Sequence, residues 1–332
     1  MNKLLSAFLG LFAAPRLNVR EDYKKVRRVQ RHLAARPVPR YRTLDRKIMS
    51  EDGSHEIPVR FFRPKQSRRD ELLLFFHGGG WVTGDIESYT PACATMADLT
   101  GCVVASIDYR LAPEHPFPAG LDDCLRATRL LLEEPERAGL ASPSQVVLVG
   151  DSAGGSLAAV VSLLLHQEGH AMPGRQILLY PVTHWDHDPL TSPYPSVRAH
   201  GEGYRLTHTE VQDYMDLYVP DPLKRQNMRV APLLAEDKTG QPATLLITAE
   251  LDLLCDEGEA YGRALINAGN SVRMHRVDGA IHGFITLPRF ARPLREAYEV
   301  IEAFLDAPIG VGSDPAETHG DAHGEGIEGE AV

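Results

Sequence analysis

Four groups of residues in this chain have the types and spacing to form or break a covalent bond. The first is Gly150-Asp151-Ser152-Ala153-Gly154, a G-x-S-x-G pentapeptide between the apolar runs Val146–Val149 and Leu157–Leu165. Small residues on both sides let a strand turn sharply into a helix, which exposes the serine hydroxyl. The turn also leaves the Ala153 N–H at a helix N-terminus, where partial positive charge favours a developing oxyanion. A serine hydroxyl needs a base to take its proton. Of the fourteen histidines, His282 in "DGAIHGF" is the best placed, in a loop just after the last strand. The base in turn needs a carboxylate to fix its tautomer. "ITAELDLLCDEG" offers Glu250, Asp252, Asp256 and Glu257. The fourth group is "FFHGGGWVTGD", 75 to 85, whose successive glycines permit close backbone approach and free N–H donors. A phosphate loop is the rival reading, but neither G-K-[ST] nor G-x-G-x-x-G follows.

These groups are useful only if the fold brings them to one place. Short runs at Leu72–Phe76, Cys102–Ile107, 145–149, 176–180 and 244–248, and a further segment near 272–277, are expected as strands. Helical patterns at 119–133, 155–168, 257–268 and 292–305 alternate with them, which implies a mainly parallel sheet covered on both faces. Lys47–Ser50 and Ile57–Phe62, joined by "SEDGSH", are expected to form an antiparallel edge. In such sheets ligands bind outside the carboxyl ends of the strands. The pentapeptide, the glycine loop, the acidic stretch and His282 all follow strands. The chain order Ser152, Asp252, His282 matches the α/β-hydrolase order of serine, acid and histidine. A Pro-, His- and Gly-rich excursion, 183–207, then a helix over about 207–218, interrupts the alternation. A stripe at Val19, Tyr23, Val26, Val29 and Leu33 predicts an N-terminal helix. Together these are expected to cap the sheet's carboxyl edge.

Composition narrows the class. The chain has 332 residues, 43% apolar and 24% charged, as in a soluble globular protein. No apolar run reaches the eighteen or so residues of a membrane span. "MNKLLSAFLGLFAAP" imitates a signal peptide, yet it has one Lys and a Pro at the cleavage position, so a short helix packed on the body is preferred. Residues 1 to 49 hold thirteen Lys and Arg against three acids. A basic helix of this kind could lie on an anionic membrane, though a solvated face is the preferred reading. The sequence pI of about 5.8 and the lack of any nucleic-acid signature argue against a nucleic-acid partner. Cys93, Cys102, Cys124 and Cys255 show no C-x-x-C spacing and read as buried thiols in a reducing, cytoplasmic compartment. The Gly-rich acidic stretch at the end is expected to be disordered.

Several ordered motifs resemble the hormone-sensitive-lipase-like family of α/β-hydrolases: "HGGGW" (77–81), "DYRLAPEHPFPA" (108–119), "GDSAGG" (150–155), "LDLLCDEG" (251–258) and "HGF" (282–284). The stretches "EGYRLT" (202–207) and "APLLAED" (231–237) are also similar. The resemblance spans about Ile57 to Leu305. It implies an α/β-hydrolase fold with a helical cap and hydrolysis of carboxylic esters by the triad Ser152, Asp252 and His282. It further implies an oxyanion hole from the N–H groups of Gly79, Gly80 and Ala153, and no cofactor or metal. His77, Gly78, Gly150, Asp151 and Gly154 would support these groups. The expected divisions are N-terminal cap helices at 1–45, core at 46–182, a cap insertion at 183–226, core again at 227–308 and a tail at 309–332. The expected partner is a small ester of short-to-medium acyl length, and the chain is compatible with a homo-oligomer. An amidase or deacetylase, an interfacial lipase, or a non-catalytic receptor of this fold are the other readings. Leu253 stands where the family usually has Pro and Cys255 where it often has Arg, which bears on rate and specificity.

Overall fold

The computed structural model describes residues 18–34 and 42–308. The expectations for the extreme N-terminal segment and the acidic tail lie outside these residues. Among the described residues eight strands make one sheet: β1 (Arg42–Met49), β2 (Glu56–Arg63), β3 (Leu72–Phe76), β4 (Val103–Ile107), β5 (Val146–Asp151), β6 (Arg175–Leu179), β7 (Ala243–Leu251) and β8 (Val272–Ile281). Their spatial order is β1-β2-β4-β3-β5-β6-β7-β8. β1 pairs antiparallel with β2, and β2 antiparallel with β4. All remaining pairs are parallel.

The helices are α1 (Val19–Ala34), α2 (Ile86–Thr100), α3 (Ala119–Glu133), α4 (Ala153–Gln167), α5 (Pro195–His200), α6 (His208–Tyr218), α7 (Cys255–Asn267) and α8 (Arg292–Asp306). Strand side chains alternate between the faces, so each central strand supplies two cores. Leu72, Leu74, Leu148 and Leu178 pack with Leu121 of α3, Leu157 of α4 and Tyr261 of α7. Leu73, Phe75, Val149 and Ile177 pack with Met96 of α2 and Tyr298 and Ile301 of α8. Burying one such leucine or isoleucine contributes roughly 1.5–3 kcal/mol. Burial of both faces explains why these strands read as continuous apolar runs.

The sequence pattern gives no sign of α2. "IESYTPACATMADLT" contains Pro91 and buries mostly small residues, among them Ala92, Ala94 and Ala97, so it lacks a strong apolar stripe. The parallel pairing of β3 with β4 nevertheless requires a crossover, and α2 supplies it. Asp85 caps it by accepting from the Ser88 N–H at 2.7 Å. The N-terminal stripe holds only in part. Val19 is buried and Tyr23 and Val26 are half-buried, whereas Val29 and Leu33 are exposed. The far half of α1 instead turns polar residues toward the body. Arg20 also pairs with Asp213 and Asp216 of α6, so acids of the body answer part of the basic N-terminal charge.

All four cysteines are buried and unbridged. Burial pushes the Cys93 and Cys255 thiols up to about 12 and Cys102 up to about 11, which leaves them poor thiolates. Among the described residues, no helix is long and apolar enough to cross a membrane.

Candidate active site

Strand order reverses between β4-β3 and β3-β5, so the loops leaving β3 and β5 diverge from adjacent carboxyl ends and open a crevice. The loop after β3 is the glycine stretch. The turn after β5 is the pentapeptide.

Ser152 sits at that turn with φ 55° and ψ −122°, a left-handed-side conformation that is strained for a residue with a Cβ. The surroundings hold it there. Its N–H donates to Leu179 O at 2.9 Å, and its carbonyl accepts from Ser156 and Val182. The flanking glycines are steric necessities. A Cβ on Gly150 would lie 2.1 Å from Gly154 O, and one on Gly154 would lie 2.0 Å from Phe76 O.

The Ser152 Oγ lies 2.8 Å from His282 Nε2, and His282 Nδ1 lies 2.6 Å from Asp252 Oδ2. A carboxylate only accepts, so the bonded proton resides on Nδ1, and the Nε2 lone pair faces the hydroxyl. Asp252 is 1% exposed, and its other oxygen accepts from the Leu254 N–H at 3.1 Å. Both side chains follow strand ends. β7 and β8 pair up to Leu251↔Ile281, after a register shift between Ala249 and Leu251. The pairing therefore delivers Asp252 and His282 side by side.

The other acids of the stretch are engaged elsewhere. Glu250 accepts from the Gly279 N–H at 2.5 Å. Asp256 accepts from the Ser196 N–H at 2.7 Å, and the Ser196 hydroxyl donates to Leu253 O. Leu254 is the N-cap of α7, and Asp256 is a first-turn acid whose side chain is committed to α5. Glu257 is fully buried beside His187 at 2.8 Å and accepts from the Thr183 and His184 N–H groups.

Gly79 and Gly80 have φ of +114° and +61°. A Cβ on Gly79 would meet Thr83 O at 2.3 Å, and one on Gly80 would enter the Tyr214 ring. The Val82 and Thr83 N–H groups close a turn onto Gly79 O at 3.1 and 2.8 Å. Among the described residues, the N–H groups of Gly79, Gly80 and Ala153 donate to no acceptor. His77 is fully buried, donates from Nδ1 to Gly78 O and stacks on Tyr109 at 4.4 Å. It supports the loop and stays clear of the serine–histidine bond.

Asp151, adjacent to the serine, joins the two loops. Its Oδ1 accepts from the Gly78 N–H at 2.7 Å and its Oδ2 from the Tyr89 hydroxyl at 3.1 Å. Burial holds its carboxyl above the usual range, against the opposing Gly78 bond. The sequence reading did not find Tyr89, which lies on the unrecognised α2, or Tyr180. The Tyr180 ring meets His282 edge-on at 4.9 Å, and its φ is +36°. Its position right after β6, in "LLYP", was the available signal.

A raised native pKa means the folded state resists ionising Asp151. Stability from this group is full below the unfolded value of about 3.9 and is lost as pH rises through the folded value. Asp151→Asn keeps an acceptor for Gly78 and removes this loss. The melting temperature of the variant relative to the native protein should therefore rise as pH increases from about 4. A constant or falling difference in paired thermal melts would remove the buried charge from the account.

Comparisons with known proteins show which family has this fold and sequence. Residues 73–286 match the family described as alpha/beta hydrolase fold. The chain is 35% identical over 267 residues to an ethyl acetate hydrolase of Pseudomonas putida, covering 79% of this chain and 81% of that protein. It is 33% identical over 275 residues to an arylesterase of Saccharolobus solfataricus, covering 82% and 87%. The crystal structure of an alpha/beta hydrolase enzyme from the metagenome of Lake Arreo, Spain, superposes with a TM-score of 0.80 at 33% identity, covering 92% of this chain and 96% of that one.

Proposed function

This chain belongs to the α/β-hydrolases, among the hormone-sensitive-lipase-like carboxylesterases, and from that premise we propose that Ser152, His282 and Asp252 are its catalytic triad. It is a carboxylic-ester hydrolase acting on small-molecule esters. The observation that supports the residue assignment best is the unbroken chain from Asp252 through His282 to the strained Ser152.

His282 Nε2 takes the Ser152 proton as Oγ attacks the ester carbonyl carbon. The carbonyl oxygen becomes an oxyanion and accepts from the Gly79, Gly80 and Ala153 N–H groups, each worth about 3 kcal/mol of barrier. The carbon–oxygen bond to the alcohol then breaks, and the alcohol leaves with the proton from Nε2. Water attacks the acyl-enzyme, gives its proton to Nε2, and the acid departs as that proton returns to Ser152. Throughout, Asp252 stays ionised and stabilises the imidazolium.

In this reading α1 and the insertion with α5 and α6 cap the site, and Tyr214 of α6 against Gly80 limits the space beside the oxyanion donors. The acyl pocket is accordingly small. Four buried thiols support a reducing, cytoplasmic setting, and no nucleic acid is expected as a partner. For 4-nitrophenyl esters, kcat/KM should peak between about two and eight carbons. An acyl series measured on purified enzyme tests this, and a palmitate ester turned over faster than butyrate would overturn it. Parallel assays with acetanilides and emulsified triglycerides separate an esterase from an amidase and an interfacial lipase.

A further inference from the structure

The glycine loop is gripped from two sides. On the core side, Asp151 accepts from the Gly78 N–H. On the outer side, the grip comes from α1, whose Arg27, Gln30 and Arg31 fall at i, i+3 and i+4 and so share one helix face. The Arg27 Nε donates to Val82 O at 2.7 Å, and its Nη2 donates to Ala112 O at 2.8 Å. Its fork is further held by Glu114 and lies over the Tyr23 ring at 4.9 Å. Gln30 Oε1 accepts from the Gly84 N–H at 3.2 Å, and Arg31 pairs with Asp85, the cap of α2.

These contacts reach the oxyanion donors through few bonds. The peptide whose carbonyl Arg27 holds follows Val82, and the Val82 N–H closes the turn onto Gly79 O. The Ala112 carbonyl also bonded by Arg27 belongs to a residue whose N–H donates to Trp81 O. Both sides of the segment after Gly80 are therefore fixed by one guanidinium. Positive φ at Gly79 and Gly80 means this turn has little intrinsic preference for its observed shape, since glycine is permissive there. The loop's own bonds onto Gly79 O are therefore supplemented by contacts from outside it that help to select this shape.

We propose that Arg27, with Gln30, is a positioning residue of the oxyanion hole, so that the N-terminal helix sets the geometry of the Gly79 and Gly80 donors as well as covering the site. This rests on the assignment of those N–H groups as oxyanion donors. Donors act on the transition state only when they lie within hydrogen-bond reach of the oxyanion, so a loosened loop lowers acylation more than substrate binding.

The test compares Arg27→Met, Arg27→Lys, Gln30→Leu and Arg20→Met with the native enzyme. Arg20 docks the same helix through Asp213 and Asp216 without touching the glycine loop. Acylation rate constants per titrated site are read on a 4-nitrophenyl ester, with KM and melting temperature. A trifluoromethyl ketone, whose hemiketal presents an oxyanion, is the second probe, with the matching secondary alcohol as its neutral counterpart. Arg27→Met should lose about 30-fold in acylation, a fraction of the hundredfold or more for deleting a donor outright. KM should stay within twofold, and ketone inhibition should weaken in proportion. Gln30→Leu should lose severalfold, Arg27→Lys should recover part of the loss, and Arg20→Met should keep its acylation rate even where its melting temperature falls. Should Arg27→Met not fold, Gln30→Leu and Arg27→Lys carry the same comparison. The proposal is overturned if the folded loop-facing variants keep acylation within twofold, or lose it without a matching loss of ketone affinity. If the native enzyme binds the ketone no more tightly than the alcohol, the donor assignment itself fails, which no variant is needed to see.

Discussion

Ser152→Ala is expected to lower kcat by about a millionfold while leaving the protein folded, the scale seen when a serine nucleophile is removed from another hydrolase. The size follows from what remains: without Oγ there is no acyl-enzyme, and only the oxyanion donors and substrate binding act on attack by water. The stability expectation comes from the backbone. Ser152 has φ 55° and ψ −122° and is held by bonds from its own N–H and to its own carbonyl, none of which alanine removes. Ser152→Gly goes further, because glycine adopts this conformation without the strain, of order 1–3 kcal/mol, that a Cβ incurs. That variant should be equally inactive and should melt no lower than Ser152→Ala, even though glycine loosens the unfolded chain. His282→Ala should match the loss of Ser152→Ala, and the double variant should add little, since the two act as one unit. Steady-state rates, corrected by covalent titration with a fluorophosphonate, and thermal melts measure all of this. A Ser152→Ala enzyme retaining a hundredth of native activity after such correction would place the nucleophile elsewhere.

What could be read from the sequence follows the strength of local signals. The central strands β3, β4 and β5 are short, mostly apolar runs because both their faces are buried, and they, β6, β7 and the more polar edge strand β8 were each expected within a few residues of their positions. The elbow was readable because close packing forces its residue types: any Cβ at 150 or 154 meets backbone. α2 was not readable, since a helix packed through alanines and carrying Pro91 shows no stripe. α1 was misjudged in its second half for the opposite reason. Its stripe continues to Val29 and Leu33, yet the docked face there is the polar set Arg27, Gln30 and Arg31, whose partners are loop carbonyls and amides. Hydrophobic periodicity cannot report a face whose energy comes from hydrogen bonds. The burial of Glu257 against His187 was hidden in the same way, because nothing local distinguishes a buried acid from a solvated one.

The acidic stretch after β7 makes the sharpest test of the assignment, because four carboxylates lie within eight residues and the fold gives each a different task. Asp252 alone touches His282, at 2.6 Å, and it does so fully buried. Asp252→Asn keeps the size of the side chain and can keep an acceptor for the Leu254 N–H, but it removes the charge that stabilises the imidazolium. It can also present an amide to Nδ1, which then favours the wrong tautomer. The kcat should fall by about ten-thousandfold, as on removal of a triad acid's charge in another serine hydrolase. Asp256 makes a plain comparison. Its Oδ2 accepts from the Ser196 N–H at 2.7 Å, and an asparagine can supply an oxygen there. Its charge also sits in the first turn of α7, where the helix dipole favours an anion by about 0.3–1 kcal/mol. Asp256→Asn should therefore lower stability by about 1 kcal/mol or less and leave kcat within severalfold. Any kinetic effect should fall on KM, because the contact it weakens anchors α5 and not the histidine. The two variants are to be assayed at one pH with their melting temperatures. Near-native turnover in Asp252→Asn beside collapse in a folded Asp256→Asn would move the acid four residues along the chain, and with it the geometry argued for His282.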